Sequence, residues 1–146
     1  MKKKMILITI IITFIIAPAT VFAERVQELE DILLKNGTWY FEGDDFFQIM
    51  GFTKHIEREF FSYMQKENGD GPYNLFVFWM DGEYAIFDED GLELILILLD
   101  DGPSVGRPIL YYDEDHIKFK KNDNVYDMYP LSTVLMKPDF QLNEIE

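Results

Sequence analysis

The chain has 146 residues, carries 27 acidic against 13 basic side chains for a net charge of −14, and contains no cysteine. That charge sets it against bulk nucleic acid and anionic membrane surfaces, and the missing thiols exclude disulfides, a cysteine nucleophile and a lipid-modified cysteine. With 48% hydrophobic and 16% aromatic residues it is no disordered chain, and its fold must rest on a core of large side chains alone.

The first residues read as an export leader. Lys2, Lys3 and Lys4 precede an apolar run from Met5 to Ala17 broken only by Thr9 and Thr13, and Pro18 stops any helix. Val21-Phe22-Ala23 places small residues at the positions a signal peptidase reads, and Glu24 opens a charged segment. Residues 1–23 are therefore expected to be a signal peptide cut between Ala23 and Glu24, delivering the rest to the periplasm or beyond. The rival reading is a retained anchor, since Met5 to Ala23 is 19 uncharged residues and a spanning helix needs about 20. Cleavage removes three lysines and no acid, leaving one 123-residue domain of charge −17 that has no further hold on a membrane.

After the cut, residues 24–36 are expected to form a helix, with Val26, Leu29, Ile32 and Leu33 on one face and Asn36-Gly37 as its stop. Asn36-Gly37-Thr38 is also formally a glycosylation sequon, read here as a helix end. From residue 37 turn signals recur every eight to twelve residues, the mark of a sandwich or barrel. Strands are expected at 38–42 and 46–52. Residues 56–66 fit either a helix, through Ile56, Phe60 and Met64, or a strand from Arg58 onward. After the turn at 68–71, strands at 73–80 and 83–88 are expected to pair through a two-residue hairpin at Asp81-Gly82. A second turn at Asp90-Gly91 precedes an apolar, doubly buried strand at 92–99, for which a short helix is the alternative. A loop over 100–108 leads into strands at 109–113, 116–121 and 125–131. The alternation His116-Ile117-Lys118-Phe119-Lys120 buries Ile117 and Phe119. The domain so described is mainly β, an antiparallel meander of about eight strands over 37–136, and residues 137–146 are expected to be a loose tail.

The sequence carries no recognisable catalytic or metal-binding constellation. His55 and His116 are the two histidines and no ligand set surrounds them. Asp88-Glu89-Asp90-Gly91 matches part of a calcium loop, but Ile86 and Ile97 occupy its first and last ligand positions. No nucleophile elbow and no phosphate-binding glycine loop occurs, Ser132 and Thr133 have no base nearby in sequence, and paired carboxylates are too numerous to single any out. No catalytic residue, metal or cofactor is therefore assigned, and catalysis is not expected.

Leu33-Leu34-Lys35-Asn36-Gly37-Thr38-Trp39, leading into an aromatic strand, resembles the opening of a lipocalin-like domain, in which a Gly-x-Trp follows a short helix. Residues 77–91 and 115–131 are similar to hairpins of bacterial secreted lipocalin-like domains. The resemblance implies a small barrel whose floor Trp39 closes, with Gly37 and Trp39 serving the fold. Two functions follow. One is an exported binding protein holding a small apolar molecule, with Phe76, Phe78, Tyr84, Ile86, Ile117 and Phe119 as candidate lining. The other is an acidic module that captures a basic protein, such as a hydrolase or toxin, through Asp88, Asp90, Asp100, Asp101, Asp113 and Asp115. A purely structural role is the third.

Overall fold

The computed structural model describes residues 23–67, 75–100, 102 and 104–136, with backbone alone at 67 and 75–78. The expected leader up to residue 22, the expected turn at 68–71, Asp101 and the expected tail from 137 onward lie outside the described residues. Helix α1 covers 23–36, with Leu29 and Leu33 fully buried and Val26 and Ile32 packed against the core. It stops where the sequence predicts: Gly37 sits at φ +68° and its N–H donates to the Leu33 carbonyl at 3.0 Å, a left-handed cap that glycine takes without penalty.

Eight strands follow: β1 (Thr38–Glu42), β2 (Phe46–Lys54), β3 (Arg58–Glu67), β4 (Leu75–Glu89), β5 (Glu93–Leu99), β6 (Val105–Asp113), β7 (His116–Lys121) and β8 (Asn124–Pro130). Each pairs antiparallel with the next, and β8 returns to β1 through Trp39 opposite Pro130 and Tyr40 opposite Tyr129. The sheet closes on itself as an up-and-down barrel, which leaves no edge strand to aggregate. The expected meander is thus a barrel and not a sandwich.

The interior is a packed core. Trp39, Phe41, Met50, Phe52, Phe60, Tyr84, Ile117, Phe119 and Met128 are all buried, joined by Leu94, Leu96 and Leu98 from one face of β5. Phe41 meets Phe119 edge-on at 4.9 Å and Phe52 meets Tyr84 likewise at 5.3 Å, the geometry aromatic quadrupoles favour. Eight strands enclose a space that side chains of this size can fill.

Several expected boundaries are corrected. The ambiguous segment is strand from Arg58, not helix. Asp81-Gly82 makes no hairpin: both lie inside β4, opposite Phe61 and Phe60, and neither has positive φ. Barrel closure overrides the local turn preference, because β4 must pair β3 over residues 75–83 and β5 over 83–89. Gly82 is needed there for a different reason. A Cβ at that position would run into the Leu99 carbonyl, where β5 passes closest. The true turns use positive φ at Asp90, Gly91 and Asn122. Strand β5 is buried on one face and half-buried on the other, not doubly buried. The expected long loop is shortened because β6 starts at Val105 and admits Pro108 opposite Ile95. Strand β8 ends at Pro130, and Leu131–Leu135 form a short helix, α2, that closes the described chain.

Replacing Gly82 by valine is expected to cost about 2–4 kcal/mol, read from the urea unfolding midpoint, because backbone and not a movable side chain blocks the new atoms. The same change at Gly102, which has open space around it, is expected to stay within about 0.5 kcal/mol.

Candidate functional site

The two ends of the barrel have opposite electrostatic character. At the first end, α1 packs beside the β2–β3, β4–β5 and β6–β7 turns and is clasped to each. Glu30 has no exposure at all. It accepts a hydrogen bond from Lys54 Nζ at 2.7 Å and two from the Arg58 guanidinium, one of them from Nε and the other from Nη2 at 3.3 Å, and lies 3.4 Å from the Tyr84 hydroxyl. Burial alone would raise its pKa, but Arg58 and Lys54 outweigh burial and hold the carboxyl below the usual range. Burial, and then the Glu30 charge, push the Tyr84 phenol up to about 12. Arg25 bonds Asp88 at 3.2 Å and the Gly91 carbonyl at 2.8 Å, and Tyr112 donates to Glu28 at 3.0 Å. The Trp39 indole donates to the Leu33 carbonyl at 3.2 Å, tying the barrel floor to the helix. Trp39 is fully buried, and Gly37 caps the helix.

The candidate lining residues sit on the barrel wall. Tyr84, Ile117 and Phe119 are buried, and Ile86 packs half-buried against them. Phe76 and Phe78 occupy β4 positions opposite Lys66 and Met64, and their side chains lie outside the described residues. Tyr84 belongs to the Glu30 cluster at the helix end, while Phe119 packs against Phe41 and Tyr126.

Toward the second end, the inward positions change from apolar to polar and cationic. The Gln48 amide donates to the Ser62 hydroxyl at 2.6 Å, both buried, and Lys121 Nζ donates to Gln48 Oε1 at 3.1 Å. Lys121 continues the inward parity of Ile117 and Phe119, and its ammonium stands 4.8 Å from the Phe46 ring centre and 5.6 Å from that of Phe41. Arg107 lies opposite buried Leu96, and Lys66 lies opposite Phe46. Desolvation lowers the Lys121 pKa, and the nearby charges of Arg107 and Lys66 lower it further; desolvation lowers Arg107 as well. Among the described residues Lys66 has Asp45 at 3.2 Å as an ionic partner, whereas Arg107 and Lys121 have no carboxylate. Three partly exposed cations thus stand near one another on inward-parity positions of a strongly acidic protein. Composition hid them. The signal was parity, since Lys121 stands two residues beyond Phe119 on a strand whose inward face was already assigned.

The candidate acidic contacts are spread over several turns, and some are already engaged. Asp88 pairs with Arg25 and accepts the Gly91 N–H, and Asp113 accepts from Tyr111 and from the Asp115 N–H, which hold its pKa down. Asp90 occupies the positive-φ turn position, Asp100 and Asp115 are exposed, and Asp101 lies outside the described residues. His116 opens β7 as expected, lies 2.6 Å from Asp127 and stacks on Tyr129 at 4.9 Å.

No protein-family model, curated protein or solved structure matches the chain. Among the described residues, no helix is long and apolar enough to cross a membrane, and no three His, Asp or Glu side chains are grouped to hold a metal.

The Glu30 cluster sets the acid limit of the fold. A carboxyl whose folded pKa lies below its unfolded value of about 4.3 contributes stability above that pH and loses it as pH falls through the folded value. Thermal melts of the native protein should therefore fall steeply below about pH 4. Glu30→Gln should lower stability by about 2 kcal/mol at pH 7, less than for a fully buried pair because Lys54 and Arg58 still reach water, and should flatten the acid dependence.

Proposed function

We propose that this is an exported lipocalin-like binding protein, and that the molecule it takes is a small anion with an apolar body, held toward the barrel end away from α1. One observation carries the reading: Lys66, Arg107 and Lys121 crowd together on inward positions, two of them without a carboxylate among the described residues. Bringing like charges together and drying them is unfavourable, and a fold keeps such an arrangement where an anion offsets it. The chain has acidic side chains to spare, so it does not lack the means to neutralise the cluster. A carboxylate or sulfonate would meet the Lys121 ammonium and Arg107 guanidinium, the latter suited to a planar two-oxygen partner. The apolar part of the ligand would lie against Phe41, Phe46 and Tyr126, whose rings already form one packed wall.

Export follows from the leader sequence, and the residue after the cut, Glu24, lies in the exposed first turn of α1. Cleavage there leaves the Arg25 clasp to Asp88 intact.

The test uses the fluorescent anion anilinonaphthalene sulfonate, displaced either by dodecanoate or by dodecanol. Dodecanoate should compete about tenfold or more better than dodecanol, the ratio expected of one charge-assisted contact. Arg107→Met and Lys121→Met should each erase that ratio. Arg107→Met should at the same time leave the melting temperature unchanged or slightly raised, because it removes a half-buried charge that is paired with no carboxylate among the described residues. Equal competition by the alcohol, or variants that keep the preference, would refute the reading.

A further inference from the structure

A second feature lies on the outside of the barrel, over β2, β3 and β4, and is independent of the interior cluster. Phe61 and Trp79 stack with ring centres 5.5 Å apart and planes within 7°. Trp79 is 60% exposed, unusual for the largest side chain in a monomeric surface. The platform is built deliberately by sequence. Gly51 stands opposite Phe61, and a Cβ there would overlap the Phe61 ring, so the glycine is what lets the ring lie flat across the strand and meet the indole. The two rings floor a groove of about 430 Å³.

The rim of this groove carries charge of one sign. Glu57, Glu59, Asp81 and Glu83 line it, with Glu59 directly opposite Glu83 across the strand pair, a like-charge juxtaposition that destabilises a sheet. Lys54, at the end of β2, and Arg58, at the start of β3, are turned the other way to serve Glu30. No hydrogen bond or ion pair to these four carboxylates occurs among the described residues. Nor do they converge as metal ligands would. The charge is distributed around an aromatic floor.

We propose that this groove docks an arginine- or lysine-bearing segment of a basic protein partner, with one cationic head over the Trp79 face and its neighbours paired to the rim carboxylates. A tryptophan face is the best cation–π acceptor, a guanidinium stacks on it, and rim carboxylates then supply charge complementarity and steering. A dispersed rim suits several cations along an extended chain better than one small ion. This places the contact surface on the sheet face and not on the turns that carry Asp88, Asp90, Asp113 and Asp115.

The probe is an octapeptide alternating arginine and glycine, with a glutamate-for-arginine version as control, titrated against the leaderless protein starting at Glu24. Binding should quench or shift the tryptophan emission of the wild type but not of Trp79→Phe, and the dissociation constant should rise about tenfold from low to physiological salt. Glu59→Gln with Glu83→Gln should weaken binding about tenfold, whereas Asp113→Asn with Asp115→Asn, the same change in charge elsewhere, should alter it by no more than about twofold. Relief of the Glu59–Glu83 repulsion should leave the first double variant at least as stable as the wild type, so its weaker binding cannot be ascribed to unfolding. Equal weakening by both double variants would show that net charge and not the groove attracts the peptide, and would overturn the proposal. So would an absence of binding, or an emission change that survives in Trp79→Phe. None of these results depends on whether dodecanoate binds inside the barrel.

Discussion

A single carboxylate, with no exposure to water, organises one end of this molecule. Glu30 sits on the inner face of α1, between Leu29 and Leu33 in burial, and an ionised group there is tolerable only if the barrel supplies cations. Lys54 and Arg58 flank the β2–β3 turn and both reach inward to it. Helix, turn and the Tyr84 hydroxyl of β4 are thereby fixed relative to one another, and Trp39 is pinned between them by its bond to Leu33. The helix is a plug held by charge as well as by leucines.

That commitment shapes the exterior. Each cation drawn inward at this turn is one fewer to neutralise the outer face of the same strands, and β2–β4 present there a groove rimmed by Glu57, Glu59, Asp81 and Glu83. The opposite end inverts the arrangement, with half-buried cations on inward-parity positions and no carboxylate beside Arg107 and Lys121 among the described residues. A chain of this composition could have buried neutral residues at Lys66, Arg107 and Lys121 at lower desolvation cost. On the proposed anion-binding reading, their retention is the kind of local instability that accompanies binding sites in otherwise consistent sequences.

Much of the architecture was legible because it depends on local rules. Gly37 ended the helix because only a left-handed residue could cap it, Asp90-Gly91 and the turn after Lys121 used positive φ as turn chemistry requires, and β7 declared its inward face by alternation. What failed was non-local. Asp81-Gly82 carries the same dipeptide signal as Asp90-Gly91, yet closure of the barrel requires β4 to pass straight through it, with glycine chosen for the approach of Leu99. No window of sequence reports that approach. The cationic cluster was missed for a related reason: its members lie on β3, β6 and β7, and a sequence dominated by acid gives no prompt to look for lysines on inward parity. The buried role of Glu30 was partly visible, since it lies four residues after Val26 and three before Leu33 on the apolar stripe, but its partners come from a turn 24 and 28 residues away.

The lack of cysteine joins these observations into one constraint. A domain of this size without disulfides must draw its stability from packing, and here aromatic rings fill the barrel from buried Trp39 to the Phe41, Phe46 and Tyr126 wall. A core used in this way leaves little of the interior for a guest near the helix, where Tyr84 and Phe52 are interlocked and Glu30 is saturated. Polar and cationic inward positions begin only beyond the Phe119 layer, with Gln48, Ser62 and Lys121. The boundary between the apolar part of the barrel interior and its polar, cationic part therefore runs across β7, between Phe119 and Lys121, two residues apart on the same face.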